Sequence, residues 1–353
     1  MVHKTAEAYR SILKHLLMAA GADEANASCV AAHLVGSELA GVETHGVRPM
    51  AHYIHAIQAG ELKAKAKPRI LRETDTSVLI TGQWGWGHVA TEFGVDVAIE
   101  KARKAGIAIV SLVQLHHIGR VGHYGERAAA EGMVAIIAGS GFCLNGRRAV
   151  PYGGRECVLD TNPFSVAFPN PKEPDHRPVL LDYATTFKAQ GALHLLAQRG
   201  QAAPPGFVVG KDGHPSTDAG QLALGGSMLP FGLHKGYALM MAVEYLGRLI
   251  SGSDDYVDQG DGGDDMFRHQ GVTMIVFRAD LFRSEASYND AAWEMAQSTR
   301  AVAPAPGFER VRMPGDPEAD TRAQRSAESI PIADDLWSML EEQAEKVGVR
   351  LEG

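Results

Sequence analysis

The spacing of apolar and polar residues predicts helices at the start of the chain. Residues 5–20 place their apolar side chains on one face of a helix. A second helix is predicted over 23–39, because Asp23 is a typical cap and Gly41 a typical helix end. A third is expected over 50–57. The chain therefore opens with a helical unit.

The middle of the chain alternates between strand and helix patterns. Residues 107–113 and 134–138 are short, unbroken apolar runs of the kind that form buried strands. A helix is predicted before the first run, over 90–104. This order indicates an α/β fold. Further strands are predicted over 70–72, 77–81, 165–168, 179–182 and 272–277.

A different region lies between the last two predicted strands. Residues 188–200 are expected to be helical, and 203–218 to form a loop rich in Pro, Gly and Asp. Residues 235–251 are apolar on nearly every side, which predicts a buried helix. An acidic, glycine-rich loop is expected over 254–265.

Composition narrows the class of protein. The chain has 353 residues, of which 45% are hydrophobic, as in an ordinary globular protein. A net charge of −8 argues against nucleic acid as a partner. The absence of a long apolar run argues against a membrane partner. Three cysteines without a CxxC spacing indicate the reducing cytoplasm.

The most informative segment is Thr44-His45-Gly46-Val47-Arg48, directly after the second predicted helix. A guanidinium can bind a carboxylate through two hydrogen bonds, and an imidazole exchanges protons near neutral pH. Together they suit a small acid that is oxidised or reduced at the neighbouring carbon. The alternative is a helix end at which His45 and Arg48 only compensate the helix dipole.

Three histidines, His116, His117 and His123, follow the predicted strand over 107–113. Active sites of α/β proteins lie beyond the carboxyl ends of strands. A single catalytic histidine and an ordinary polar loop both fit this segment. A metal site, and with it a metal-dependent hydrolase, is a weaker alternative because no acidic ligand lies nearby.

The glycines do not match the usual dinucleotide fingerprint. Gly139-Ser140-Gly141 follows a predicted strand, but the GxGxxG spacing and the helix after it are missing. Two other segments, 160–163 and 182–186, place hydroxyl residues beside an aspartate at strand ends, where ribose or phosphate could bind or a plain turn could form. Lys235, at a glycine-rich helix start, suits a phosphate, although the glycines could serve packing alone.

Taken in order, these segments resemble the malate/L-lactate dehydrogenase family, which is unrelated to the Rossmann-type lactate dehydrogenases. The family includes sulfolactate and ureidoglycolate dehydrogenases, diketogulonate reductase and the piperideine- or pyrroline-2-carboxylate reductases. The resemblance covers nearly the whole chain and rests on residues 41–46, 117–125, 161–163, 182–186, 235–252 and 314–317.

The resemblance implies an α/β fold with α+β character, in which a mixed, largely antiparallel sheet of non-Rossmann type binds NAD or NADP. Two helical domains would flank this sheet, and members of the family are homodimers or larger. The implied domains are 1–68 plus 284–353 (helical, from both chain ends), 69–187 plus 266–283 (sheet) and 188–265 (helical insert).

The resemblance also implies roles in catalysis. His45 matches the acid/base histidine, and Thr44 keeps a hydroxyl where the family usually has Ser. Asp182 matches an aspartate that orients this histidine, and His117 matches a second candidate proton carrier. Arg48 is expected to hold the substrate carboxylate, although it lies one position earlier than the family's arginine.

If Arg48 does not hold the carboxylate, Arg120 or Arg147 could do so. The positions that match the cofactor site are Thr161, Asn162, Asp182, Ala184, Thr185, Lys235 and Gly315. The expected activity is hydride transfer between NAD(P)H and C2 of a small 2-oxo or 2-hydroxy acid, or of a cyclic 2-imino acid. An inactive cofactor-binding sensor or scaffold is the alternative, since the arginine is shifted.

Overall fold

The fold is given by a computed structural model that describes residues 1–141, 148–259, 263 and 265–351. Its helices are α1 (Ala6–Ala19), α2 (Glu24–Leu39), α3 (Met50–Gln58), α4 (Gly87–Ala105), α5 (Gly122–Ala130), α6 (Gln190–Gln198), α7 (His234–Glu244), α8 (Glu285–Arg300), α9 (Asp316–Ala327) and α10 (Asp334–Lys346). Its strands are β1 (Val2–Lys4), β2 (Arg69–Glu73), β3 (Ser77–Gly85), β4 (Ile107–Leu115), β5 (Met133–Ser140), β6 (Pro163–Phe168), β7 (Val179–Ala184), β8 (Val208–Val209), β9 (Pro215–Ser216), β10 (Ser227–Met228), β11 (Gly271–Arg278) and β12 (Ile330–Ile332).

A seven-stranded sheet in the order β2-β3-β4-β11-β5-β6-β7 forms the centre of the described part of the chain. Only β3 and β4 pair in parallel there, and the other neighbours are antiparallel. The predicted mixed, largely antiparallel sheet is therefore confirmed. The parallel pair needs a crossover, and α4 supplies it.

Helices α4 and α5 pack on the sheet and bury its apolar residues. Val110, Leu112 and Met274 are fully buried in this core. Gly106 ends α4 with a φ of +87°, a conformation that glycine adopts at little cost. The tight turn starts β4 at once and directs its carboxyl end, at Leu115, toward the candidate site.

A second core joins the two ends of the chain. Side chains of α1, α2 and α3 pack with Trp337 and Leu340 of α10, and β1 pairs with β12. Packing in this core fixes the position of α3, which continues directly from the His45 segment. The exact domain boundaries given above stay predictions.

Two expectations for the insert are wrong. The segment 203–218 is not only a loop, because β8 and β9 lie in it and pair with each other, and β8 also pairs with β10. The helix over 235–251 is not buried on all sides, because Tyr245, Leu249 and Ile250 are exposed. Hydrophobicity alone cannot distinguish a face that packs inside one chain from a face that remains uncovered.

Candidate active site

A cavity of about 450 Å³ lies where the N-terminal helical unit meets the ends of β6 and β7. Its wall contains most of the predicted catalytic residues. They come from sequence segments far apart, brought together by the sheet. The residues that line it include Thr44, His45, Tyr53, His117, Arg120, Arg148, Asp160, Thr161, Asp182 and Ala184.

His45 is held by a short 3₁₀ turn, Glu43–His45. Its Nδ1 lies 3.0 Å from the Thr44 hydroxyl oxygen, and its ring stacks on that of His117 with centroids 5.9 Å apart. Burial and the nearby Arg120 guanidinium lower the pKa of His45 to about 4. The imidazole is therefore neutral at pH 7 and able to accept a proton.

A buried carboxyl explains the glycine of this segment. Glu38, on α2, is only 2% exposed and accepts a hydrogen bond from the Val47 amide at 3.0 Å. A Cβ on Gly46 would lie 1.9 Å from the Glu38 Oε1 atom. Glycine is thus needed for close packing, and Glu38 positions the His45 turn. Burial raises the pKa of Glu38 to about 7.

His117 faces the same cavity and is fixed by a residue that the sequence analysis did not single out. The Tyr53 hydroxyl lies 2.7 Å from the Nδ1 atom of His117. Tyr53 is fully buried on α3, and burial raises its pKa, so it stays neutral and able to donate. The only sign of this role in the sequence is that an aromatic residue, Tyr53, follows Arg48 by five positions.

Further histidines pack behind the site as a cluster of rings. The His33 ring lies 4.8 Å from that of His88 and 4.4 Å from that of His123, measured between centroids. The Nε2 atom of His33 accepts a hydrogen bond of 2.9 Å from the Arg120 amide. Burial is the main reason that the pKa values of His33, His88 and His117 are lowered.

No group of three or more histidine, cysteine, aspartate or glutamate side chains in the described ranges is arranged to hold a metal ion. The contacts of His116, His117 and His123 include aromatic rings, a tyrosine hydroxyl and a glutamate. The metal-dependent hydrolase therefore gains no support from these residues.

The histidine cluster gives a prediction for acid stability. Burial lowers the pKa of His88 to about 3, so the unfolded chain binds a proton below pH 6.5 that the folded chain does not. Stability contributed by His88 is therefore present above pH 6.5 and lost as the pH falls. Urea unfolding of wild type and His88→Leu at pH 7 and pH 5 should show about 2 kcal/mol less acid loss in the variant. Equal losses would contradict this.

Asp182 and Arg120 form a buried charged pair at the floor of the cavity. The Arg120 side chain is 2% exposed, its two terminal nitrogens bond to Glu126 at 2.7 and 3.1 Å, and its Nε lies 3.6 Å from the Asp182 Oδ2. Burial raises the pKa of Asp182 to about 6, against the opposing effects of Arg120 and the Gly122 amide. Orientation of His45 by Asp182 stays a prediction.

Arg48 lies elsewhere. Its guanidinium is 4.0 Å from Asp335 on α10, and Arg48 is not among the described residues that line the cavity. Of the alternative cations, Arg120 reaches the cavity wall, and Arg147 lies outside the described residues.

The two hydroxyl-rich strand ends meet beside the cavity. Thr161 and Ala184 line it, whereas Thr185 and Asn162 are fully buried. The Thr185 hydroxyl donates to the carbonyls of Thr161 and Asn162 at 3.0 Å each, and Asn162 donates to Met240 of α7 at 3.1 Å. These contacts hold the cavity wall, and any contact of Thr185 or Asn162 with a cofactor stays a prediction.

The two remaining positions are separate from this cavity. Lys235 is exposed in the first turn of α7. Gly315 lines a larger cavity of about 1090 Å³ at the other end of β7. Its φ is +94°, and a Cβ there would lie 3.1 Å from the Leu180 Cβ, so glycine is required on backbone grounds as well.

The sequence model for malate/L-lactate dehydrogenases matches residues 5–341. The chain belongs to this family. It is 32% identical to an L-lactate dehydrogenase of Cupriavidus necator over 342 residues, which cover 96% of each chain. This confirms the family expected from the sequence.

Solved structures of the family share the fold. Sulfolactate dehydrogenase from Methanocaldococcus jannaschii superposes with a TM-score of 0.86 at 28% identity, covering 99% of this chain and 98% of that one. A Δ¹-piperideine-2-carboxylate reductase from Pseudomonas syringae gives 0.83 at 26% identity, covering 98% and 100%. The dehydrogenase is therefore an NAD(P)-dependent oxidoreductase of small acids, and nothing in these similarities supports an inactive sensor.

Proposed function

We propose that the dehydrogenase transfers a hydride between NAD(P)H and C2 of a small 2-oxo or 2-hydroxy acid, or of a cyclic 2-imino acid, bound in the 450 Å³ cavity. The observation that carries the proposal is the stacked pair of His45 and His117 in the wall of that cavity. Asp182 and Thr161 line the same space. The reaction moves one proton for each hydride, and either of these two histidines is placed to carry that proton.

Two cavities, one at each end of β7, together suit a dinucleotide. The cavity with Thr161 and Ala184 lies at one end of this strand, and the cavity with Gly315 lies at the other. Six residues of strand place these ends roughly 16 Å apart. We assign the nicotinamide end to Thr161 and Ala184, and the adenosine end to Gly315. When bound, the nicotinamide supplies or accepts the hydride.

The state of His45 suggests how the proton moves. With a pKa of about 4, the ring is neutral at pH 7 and can take the hydroxyl proton of a 2-hydroxy acid. For reduction, a bound carboxylate would raise the pKa of His45 and favour its protonated form. His117, hydrogen-bonded to Tyr53, is the second candidate for the same proton.

A panel of acids tests the proposed reaction. NADH and NADPH oxidation should be followed with pyruvate, longer 2-oxo acids and cyclic imino acids such as piperideine-2-carboxylate. We expect turnover with at least one of them and a preference for one cofactor. Failure of the whole panel with both cofactors, in a protein shown to be folded, would contradict the proposal.

Lys235 gives a separate prediction about the cofactor. Its exposed ammonium lies at the N-terminus of α7, where backbone amides and the helix dipole favour a phosphate. Lys235→Ala should weaken NAD(P)H binding by roughly 10–150-fold, which corresponds to about 1.5–3 kcal/mol. Calorimetry measures the effect, with the exposed Lys104→Ala as control. Equal affinities of the two variants would remove Lys235 from the cofactor site.

We also propose that the dehydrogenase is a cytoplasmic homodimer or larger homo-oligomer. No helix in the described ranges has the length and apolar character needed to cross a membrane. The exposed apolar side chains of Tyr245, Leu249 and Ile250 form a patch of the kind that subunit interfaces cover. Light scattering of wild type and Leu249→Glu should give a multiple of 37.8 kDa for the first and a smaller mass for the second.

A further inference from the structure

The turn that carries His45 is held by a side chain from near the other end of the chain. Arg325, on α9, is only 16% exposed, and its guanidinium reaches both α2 and the Glu43–His45 turn. One terminal nitrogen donates to the Glu38 carbonyl oxygen, and the other donates to the Glu43 Oε1 atom at 2.8 Å. A single side chain therefore links the end of a helix to the turn that follows it.

The chemistry of this link requires an arginine. Carbonyl groups in the last turn of a helix lack partners within the helix and lie at the negative end of its dipole, where a cation is favourable. The Glu38 carbonyl is such a group, and it also accepts the Gly41 amide at 3.0 Å. A planar guanidinium presents several N–H groups in a fixed arrangement, so it can hold two oxygens at once, whereas a lysine ammonium cannot match this geometry.

Helix α9 is packed closely enough on α2 to keep Arg325 in place. Gly41 has a φ of +75°, and a Cβ there would lie 3.1 Å from the Thr321 Cγ2 atom. Thr321 and Arg325 are four residues apart and so lie on the same face of α9. Other side chains of this helix, among them Ala319 and Arg322, line the larger cavity. The helix therefore lies between that cavity and the His45 turn.

Two anchors bracket His45 in the sequence. Arg325 holds Glu43, two residues before the histidine, and the Glu38 carboxylate holds the amide of Val47, two residues after it. The ring between them lines the substrate cavity and stacks on His117. Its direction is consequently set by the backbone of the turn, and the backbone is set by the two anchors.

We propose that Arg325 is a positioning residue for the reaction, which holds the Glu43–His45 turn so that the His45 ring faces the substrate. This inference rests on the proton-transfer role proposed above for His45. Arg325 is not among the described residues that line the substrate cavity, so it acts through the turn. Position matters here because a misplacement of about 1 Å in a reacting group can cost on the order of a hundredfold in rate.

Steady-state kinetics test the role. Arg325→Met should lower kcat roughly ten- to a hundredfold and leave the affinity for NAD(P)H unchanged. Arg325→Lys keeps the charge without the planar group and should recover only part of the loss. The matched control is Arg127→Met, because Arg127 also bonds to two carboxylates, Asp96 and Glu131, on the surface. It should keep the kcat of wild type.

A double-mutant comparison separates positioning from general structural damage. In a His45→Ala background, Arg325→Met should change kcat by less than about threefold, because the ring that Arg325 positions is already missing. Circular dichroism should show that all the variants are folded. Equal fold-losses of kcat in the wild-type and His45→Ala backgrounds would overturn the proposal.

The position of the ring can also be followed without turnover. NMR signals of the His45 imidazole, assigned by their absence in His45→Ala, should shift in Arg325→Met and remain in place in Arg127→Met. Shifted signals, combined with a kcat of His45→Ala near that of wild type, would support the positioning role and contradict the proton role of His45. Unshifted signals in Arg325→Met would overturn the positioning role and leave the proposed reaction intact.

Discussion

Replacing His45 by alanine is expected to lower kcat by roughly 10²–10⁴-fold, the range typical of a lost acid/base group. The ring lies in the cavity wall and stacks on His117, so its loss removes the nearest proton carrier. NAD(P)H affinity should change little, because the side chain is assigned to the substrate's proton. Steady-state rates and cofactor titrations measure the two effects on the same preparation.

His55→Ala is the matched control, since His55 is exposed on α3, and it should keep nearly full activity. His117→Ala shows which of the two stacked rings carries the proton. A kcat within about threefold of wild type for His45→Ala would move that role to His117.

Replacing Arg120 by methionine is expected to have the largest effect on stability. The guanidinium is bound to Glu126 and lies 3.6 Å from Asp182, all with little exposure. Removing one partner of a buried charged group leaves the other uncompensated, which costs roughly 3–5 kcal/mol. Urea unfolding measures this loss. The pKa of His45 should also rise, because Arg120 is one of the causes of its low value.

Arg48→Met is the control for Arg120. Arg48 lies 4.0 Å from an exposed Asp335, so its loss should cost less than about 1 kcal/mol. Its kcat/KM should stay near that of wild type. A large loss of kcat/KM for Arg48→Met with unchanged stability would restore Arg48 as the carboxylate ligand and contradict its placement outside the substrate cavity.

Much of the secondary structure can be predicted from the sequence, because signals within a few residues determine where helices and strands begin and end. Gly106, the cap at Asp23 and the apolar run of β4 each act within a few residues, and each predicted element is found. The antiparallel sheet does not follow from these signals, because β11 inserts between β4 and β5 from more than a hundred residues away. It was expected only through the resemblance to a family.

The site shows the same division. The resemblance placed Thr161 and Thr185 at one cofactor site, and the Thr185 hydroxyl does bond to the Thr161 carbonyl. The role of Gly46 could not be predicted, because the reason is the Glu38 carboxyl packed against it from α2. Proximity in sequence favoured Arg48 as the carboxylate ligand, whereas the fold brings Arg148 to the cavity.

Transfer of a labelled hydride tests the central claim most directly. NAD(P)H that carries deuterium at both positions of nicotinamide C4 is incubated with the best acid of the panel, and the product is examined by NMR. The account predicts deuterium at C2 of the hydroxy or amino acid formed, and a rate that falls roughly 10²–10⁴-fold in His45→Ala. Cofactor oxidation without deuterium at C2 would contradict it.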